Sequence, residues 1–227
     1  MEELDLTIFY VGDPEELGET EKERWKKIEP VILELLEELK KGGKLKSVTL
    51  PGGKFLPAVM RKLEAFRRVH YFLNNVFEDP NYKEILELNS KYGLDESTVI
   101  TAYAMASFSV AMLSTELFKL LLLFFTKGLN PSVARFNETI KKAAPNTWSK
   151  LEPFVDNKLR NAVAHGTYAI VDNRIQLFRN AILELDEEMS LTDFITRLID
   201  QSILYQVLVS VMAEKLRQKY RLVACHR

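Results

Sequence analysis

Cysteine is all but missing: Cys225 stands alone, so no internal disulfide framework holds the fold, and a reducing compartment suits the chain. Histidine is scarce as well. His70, His165 and His226 are scattered, and with a single thiol they form no zinc site of ordinary ligand spacing. Neither sign of charge dominates. Lys+Arg 31 against Asp+Glu 32 leaves a net charge of -1, which excludes a protein that grips nucleic acid through bulk basicity and confines any RNA contact to a local patch. No internal repeat or low-complexity tract is present. The opening Met1-Glu-Glu-Leu-Asp5 is acidic where a secretory leader is basic, so a cytoplasmic location is expected. What the chain does have is apolar content: 47% hydrophobic residues over 227 positions support a substantial core and exclude wholesale disorder.

Leu4 to Val11 reads as a short strand or extended arm, followed by a Gly12-Asp-Pro turn. Thr20-Glu-Lys-Glu23 has the form of a capping box. It opens a helix through Trp25, Ile28, Val31, Ile32 and Leu35, which Pro30 should kink or restart and Lys40-Lys-Gly-Gly43 ends. Gly42 to Lys54 is glycine-flanked and basic. It lacks the G-K-[S/T] spacing of a phosphate-binding loop and reads as a hairpin or linker. It divides the chain into an N-terminal extension, residues 1–53, and a main helical domain, residues 54–227.

Phe55 to Phe77 is helical in pattern, with Leu63 and Phe66 among its apolar positions. Arg61, Lys62, Arg67 and Arg68 give it a basic side that is either a groove for RNA backbone or a solvated face. His70 reads as structural. Asp79-Pro80 opens a short helix closing at Tyr92-Gly93. Val99 to Phe125 is the most apolar stretch, and its first part, to Thr115, carries no charge. A membrane span is opposed by Glu116, Lys119, recurring Ser and Thr, and flanks without basic bias, so a buried central helix is expected. Asn130-Pro131 opens a helix to about Lys142. Thr167–Val171 and Arg174–Phe178 alternate around Asp172-Asn173 as a β-hairpin, extended by Ala181 to Leu185. Ser190-Leu-Thr-Asp193 caps a last helix reaching Tyr220, and the tail from Lys215 to Arg227 is a nucleic-acid contact or a solvated end. The fold expected is all-α: a bundle of four main helices near 55–77, 96–127, 149–165 and 190–220, with a short hairpin after the third.

That third helix is the informative one. Ser149-Lys-Leu-Glu152 reads as its capping box and Gly166 as its positive-φ terminator. At 100° per residue, Leu151, Val155, Leu159 and Ala162 share the core face. Opposite them lie Arg160, Ala164, Asn157, Asn161 and His165, with no Lys or Glu in the middle, a surface suited to semi-burial against a partner. The negative end of a helix dipole favours a protonated ring, which makes a histidine there a usable proton donor. A guanidinium binds two phosphate oxygens at once. Together they form a kit for handling a phosphodiester without a metal.

Arg160-Asn-Ala-Val-Ala-His165, followed by Gly166, resembles the signature of HEPN domains (higher eukaryotes and prokaryotes nucleotide-binding). The resemblance is dense over about a dozen residues. Arg221-Leu-Val-Ala-Cys-His226 repeats the spacing but has leucine where the family has a polar residue. The resemblance implies a HEPN-like helical bundle and a metal-independent endoribonuclease without cofactor, acting as a homodimer whose two Arg/His pairs share one site. RNA would be the substrate, cleaved by 2′-hydroxyl attack. Arg160 would bind the scissile phosphate, His165 would move protons, and Asn161 would orient the imidazole or the phosphate. Glu116 is expected to pair with Arg160 across the bundle. Asn157, Tyr168, Arg67 and Arg68 are further binding candidates. The setting implied is toxin–antitoxin or antiviral defence, with a neutralising partner and no membrane. The alternatives are a non-catalytic HEPN module that binds nucleotide or RNA or only dimerises, and a merely structural Arg/His pair. Family members modified on a tyrosine have one residue between His and Tyr; here Gly166 and Thr167 intervene before Tyr168, which weakens that third reading.

Overall fold

The computed structural model describes residues 17–45, 60–68, 91, 96–127, 135–171, 174–179 and 184–224. Among them the protein is mostly α-helical with one three-stranded antiparallel sheet. In chain order run α1 (Glu19–Lys41), α2 (residues 60–68), α3 (Glu96–Phe125), α4 (Phe136–Ala143) and α5 (Pro145–Leu151). A 3-10 turn (Glu152–Phe154) leads to α6 (Asn157–His165). Strands β1 (Tyr168–Val171), β2 (Arg174–Arg179) and β3 (Glu184–Ser190) follow, and α7 (Leu191–Ala224) closes the chain. The expected strand at Leu4–Val11, the segment 46–54, the short helix after Asp79-Pro80, His70, Asn130-Pro131 and the Asp172-Asn173 turn lie outside the described residues.

α7 is the axis, with α1 and α3 packed along it. Gln201 to Val209 are all buried, because a helix surrounded by partners has no face left for water. Leu191–Glu214 is long and apolar enough by composition to cross a membrane, and 56% of that window is buried inside the bundle. As expected, the Ser190 hydroxyl caps this helix, accepting the Asp193 amide at 3.0 Å. In α1, Ile28, Ile32, Leu35, Leu36 and Leu39 belong to the same core cluster as residues of α3 and α7. The expected Thr20–Glu23 box is corrected by two residues: Gly18 is the N-cap, and Glu21 reaches back to its amide at 2.8 Å. Pro30 neither ends nor restarts α1. It is exposed, so the carbonyl it leaves unpaired one turn back can be hydrated.

The single helix expected at 149–165 is two helices. Pro153 has no amide hydrogen, and its ring crowds the carbonyl four residues earlier, at a cost of about 3 kcal/mol inside an α-helix. The chain instead closes α5 at Leu151, places Pro153 in the 3-10 turn and restarts after Asp156. Ser149 and Glu152 therefore form no N-terminal box. The amides at the start of α5 are taken by Glu38 of α1: Oε1 accepts from the Asn146 amide at 3.2 Å and its Nδ2 at 2.8 Å, and Oε2 from the Thr147 amide at 2.9 Å and its Oγ1 at 2.6 Å. Asp156 caps α6, its Oδ1 accepting the Leu159 amide at 2.9 Å. Gly166, at φ +65°, ends it in a Schellman motif: the Thr167 amide bonds the Ala162 carbonyl at 2.9 Å and the Gly166 amide bonds Val163 at 3.3 Å. Leu151, Val155, Leu159 and Ala162 are all buried as expected, but not as one face of a single helix. The first two join the main core and the last two a second one.

That second core lies between α6 and the sheet: Leu159 and Ala162 meet Ile175, Leu177, Met189, Phe194 and Phe108. β1 and β2 pair as the expected hairpin, Val171 opposite Arg174 and Tyr168 opposite Leu177. The third strand is described over Glu184–Ser190, which takes in Glu184 and Leu185 of the expected extension and continues past it, while 181–183 lie outside the described residues; it makes the expected hairpin a meander. Its acidic sequence hides it from a period-two reading. Met189 goes inward, while Glu188 pairs with Arg174 at 2.6 Å, Asp186 with Arg179 at 2.5 Å, and Glu187 with Arg197.

Candidate functional site

α6 packs on α3. Residues three apart on a helix share a face, and two such pairs meet here. Arg160 Nη2 donates to Glu116 Oε1 at 2.5 Å, and Lys119 Nζ donates to Asn157 Oδ1. Position 116 meets 160 while 119 meets 157, so the two helices run antiparallel at this two-rung ladder. From α2, Lys62 Nζ donates to the other Glu116 oxygen. Arg160 Nη1 also donates to Asn161 Oδ1 at 3.0 Å. The Arg160 side chain is 23% exposed and that of Glu116 12%.

One carboxylate thus faces three cations. Burial raises the pKa of Glu116, but the hydrogen bonds from Lys62 and Arg160, and then their charges, outweigh it and hold the carboxyl below the ordinary range. Lys119 is lowered to about 8, first by burial and then by the charge of Arg160, with Glu116 pulling partly the other way. A guanidinium carries five N–H donors. Arg160 spends one from each Nη, and its Nε is buried with no partner. Each Nη keeps one N–H for a further acceptor.

The expected Glu116–Arg160 pair is therefore present, with Asn161 bonded to Arg160 and Asn157 to the neighbouring Lys119. His165 is exposed at the last turn of α6 and makes no side-chain hydrogen bond or ion pair among the described residues. Tyr168 is half-buried, its ring 4.4 Å from Phe108 between centroids, which gives it a packing role. Arg67 and Arg68 are not brought to this cluster. Arg68 pairs with Glu64 at 3.0 Å. The charge of Arg67 acts on Tyr205, whose hydroxyl burial pushes well up and Arg67 pulls partly back. The residue of α2 that reaches the site is Lys62, five positions earlier.

Lys62 and Lys119 are the members that sequence reasoning missed. Lys119 was legible only as an interruption of an apolar run, although an ammonium three residues from Glu116 on a core helix points the same way. Among the described residues no group of three or more His, Cys, Asp or Glu is placed to hold a metal. Comparison with family models, curated proteins and solved structures returned no match.

Proposed function

We propose that this protein is a metal-independent endoribonuclease of HEPN type that cleaves RNA by 2′-hydroxyl attack. The observation that carries the reading is the joint placement of Arg160 and His165 on one capped helix, a guanidinium with unspent donors in a cation-rich cluster and an unpartnered imidazole at the end of the same element. Two copies of the chain, related by a two-fold axis, would supply two such pairs to one cleft. One imidazole takes the proton from the 2′-hydroxyl as its oxygen bonds to phosphorus. The P–O5′ bond breaks, and the second, protonated imidazole gives its proton to the departing 5′-oxygen. The products are a 2′,3′-cyclic phosphate and a 5′-hydroxyl end. Arg160 stabilises the charge on the pentacoordinate phosphorane, and Asn161 orients the guanidinium it already touches. No cofactor enters. A role in toxin–antitoxin or antiviral defence, with a neutralising partner, belongs to the same proposal.

His165→Ala tests it. The variant keeps its fold, because the ring is exposed, and loses about 10²–10⁴ of the cleavage rate. Cleavage equal to wild type, or ends other than cyclic phosphate, would sink the reading. A second reading, a non-catalytic module that binds nucleotide or RNA, is favoured by the engagement of both Arg160 Nη groups within the subunit. It predicts RNA binding without cleavage in wild type and variant alike.

A further inference from the structure

Lys119 takes no part in the reaction above, yet it is the only lysine or arginine among the described residues that is buried, at 4% exposed. An ammonium so covered is unfavourable unless its charge is used. Three contacts define its place. Its Nζ donates to Asn157, the first residue of α6. It lies 5.5 Å over the Phe136 ring of α4, a cation–π contact with an uncharged neighbour. The charges acting on it are Glu116, one turn back on its own helix, and Arg160 on α6, while Lys62 of α2 shares that same Glu116.

We propose that Lys119 is a positioning residue of the Arg160 site: it fixes the start of α6 through Asn157 and supplies the interior positive charge that leaves Arg160 attractive to a phosphodiester although Glu116 is already bound to it. The inference rests on the reading of Arg160 as a phosphate ligand. Without Lys119, the charges of Lys62 and Arg160 exceed that of Glu116 by one, and part of the excess sits on the half-exposed Lys62. Lys119 adds a second positive charge where the surroundings are apolar and salt screens least. Because burial and Arg160 hold its ammonium near 8, Lys119 loses its proton just above neutrality. A phosphate at Arg160 opposes that loss. By linkage, an anion binds more tightly below that pH than above it, and a proton is taken up as it binds.

The test measures the Kd of the full chain for a 2′-O-methyl RNA oligonucleotide, which cannot undergo 2′-hydroxyl attack, between about pH 7.5 and 9.5. Wild type is expected to weaken about tenfold across this range. Lys119→Met is expected to be weak throughout and flat, and Lys119→Arg, charged at every pH in the range, to be tight and flat. A merely structural lysine predicts no such split. Independently of any variant, the Lys119 Nζ resonance of the wild type should titrate near 8 and move upward with oligonucleotide bound. Lys119→Met binding with wild-type affinity and pH dependence, or an unmoved titration, overturns the proposal. Binding with the expected pH dependence but no cleavage of ordinary RNA overturns the nuclease reading and leaves the role of Lys119 standing. No binding by wild type overturns both.

Discussion

α5 and α6 are consecutive, similar in length and separated only by residues 152–156, yet they differ in where their surface goes. α5 spans seven residues and buries Thr147, Trp148 and Leu151, with its first amides covered by Glu38. α6 spans nine, buries only Leu159 and Ala162, and leaves Asn161, Ala164 and His165 exposed. α5 belongs to the main core and α6 to the smaller one under the sheet. A single straight helix would have had to serve both. Breaking it at Pro153 lets one half act as an anchor while the other offers a polar face. Between them, Gln201 of α7 donates to the Phe154 carbonyl at 2.6 Å and accepts from Thr115 Oγ1 of α3 at 2.5 Å, so the joint is tied through Gln201 to the central helices.

The contrast can be broken at its strongest point first. Trp148→Ala should lower stability by about 3–5 kcal/mol, the cost of emptying a packed aromatic site, and a denaturant melt reads it. A loss below about 1 kcal/mol would show that α5 is not the anchor. Gln201→Leu removes the hydrogen bond to the Phe154 carbonyl and the one from Thr115 Oγ1, and should cost about 1–3 kcal/mol, seen as a lower melting temperature. Asp156→Ala removes a cap and should cost about 1 kcal/mol. Its signature is local: amide exchange accelerates through Asn157–His165 and not through Pro145–Leu151. Equal acceleration in both would mean that the two helices melt as one.

Smaller effects sharpen the same comparison. Burial raises the Glu38 carboxyl, but the Thr147 and Asn146 hydrogen bonds outweigh it and leave the pKa lowered. Its folded value lies below its unfolded one, so its contribution is present above the unfolded value and disappears as pH falls through the folded value. Glu38→Gln should cost about 0.5–1 kcal/mol at neutral pH and flatten the acid limb of a stability-versus-pH curve. An unchanged acid limb would count against the cap on α5. Pro153→Ala should change stability least, by roughly 0.5 kcal/mol, because Pro153 sits where its fixed φ is tolerated. The Asp156 cap should keep α6 separate; chemical shifts of one continuous helix from 145 to 165 would refute this.

Much of this was legible from residue spacing. The apolar run of α3, the Ser190 cap of α7, the Gly42 and Gly166 terminators and the β1–β2 alternation depend on neighbours in sequence, and each appears where its pattern lies. The Glu116–Arg160 pair was readable too, since two opposite charges on core-facing helices have few other partners. What escaped depends on residues far apart in the chain. Glu38 caps a helix more than a hundred residues away, Lys62 reaches Glu116 from α2, and β3 is held by cations on β2 and α7 rather than by its own alternation. The break within 149–165 was legible and misread: Pro153 was present, but the Ser149–Glu152 box matched a template that a proline in the following turn does not permit.

The left-handed turn at Gly166 bears on how accurately His165 can be aimed. The exposed ring makes no side-chain hydrogen bond or ion pair among the described residues, yet the main chain beside it is tied at Thr167, whose amide bonds back to the Ala162 carbonyl and whose carbonyl accepts the Phe178 amide of the sheet at 2.9 Å. Wobble is thereby restricted to two side-chain torsions while the Cα stays in register with Arg160. An imidazole mounted this way needs no internal brace of its own and remains open to solvent, as the proposed proton transfer requires.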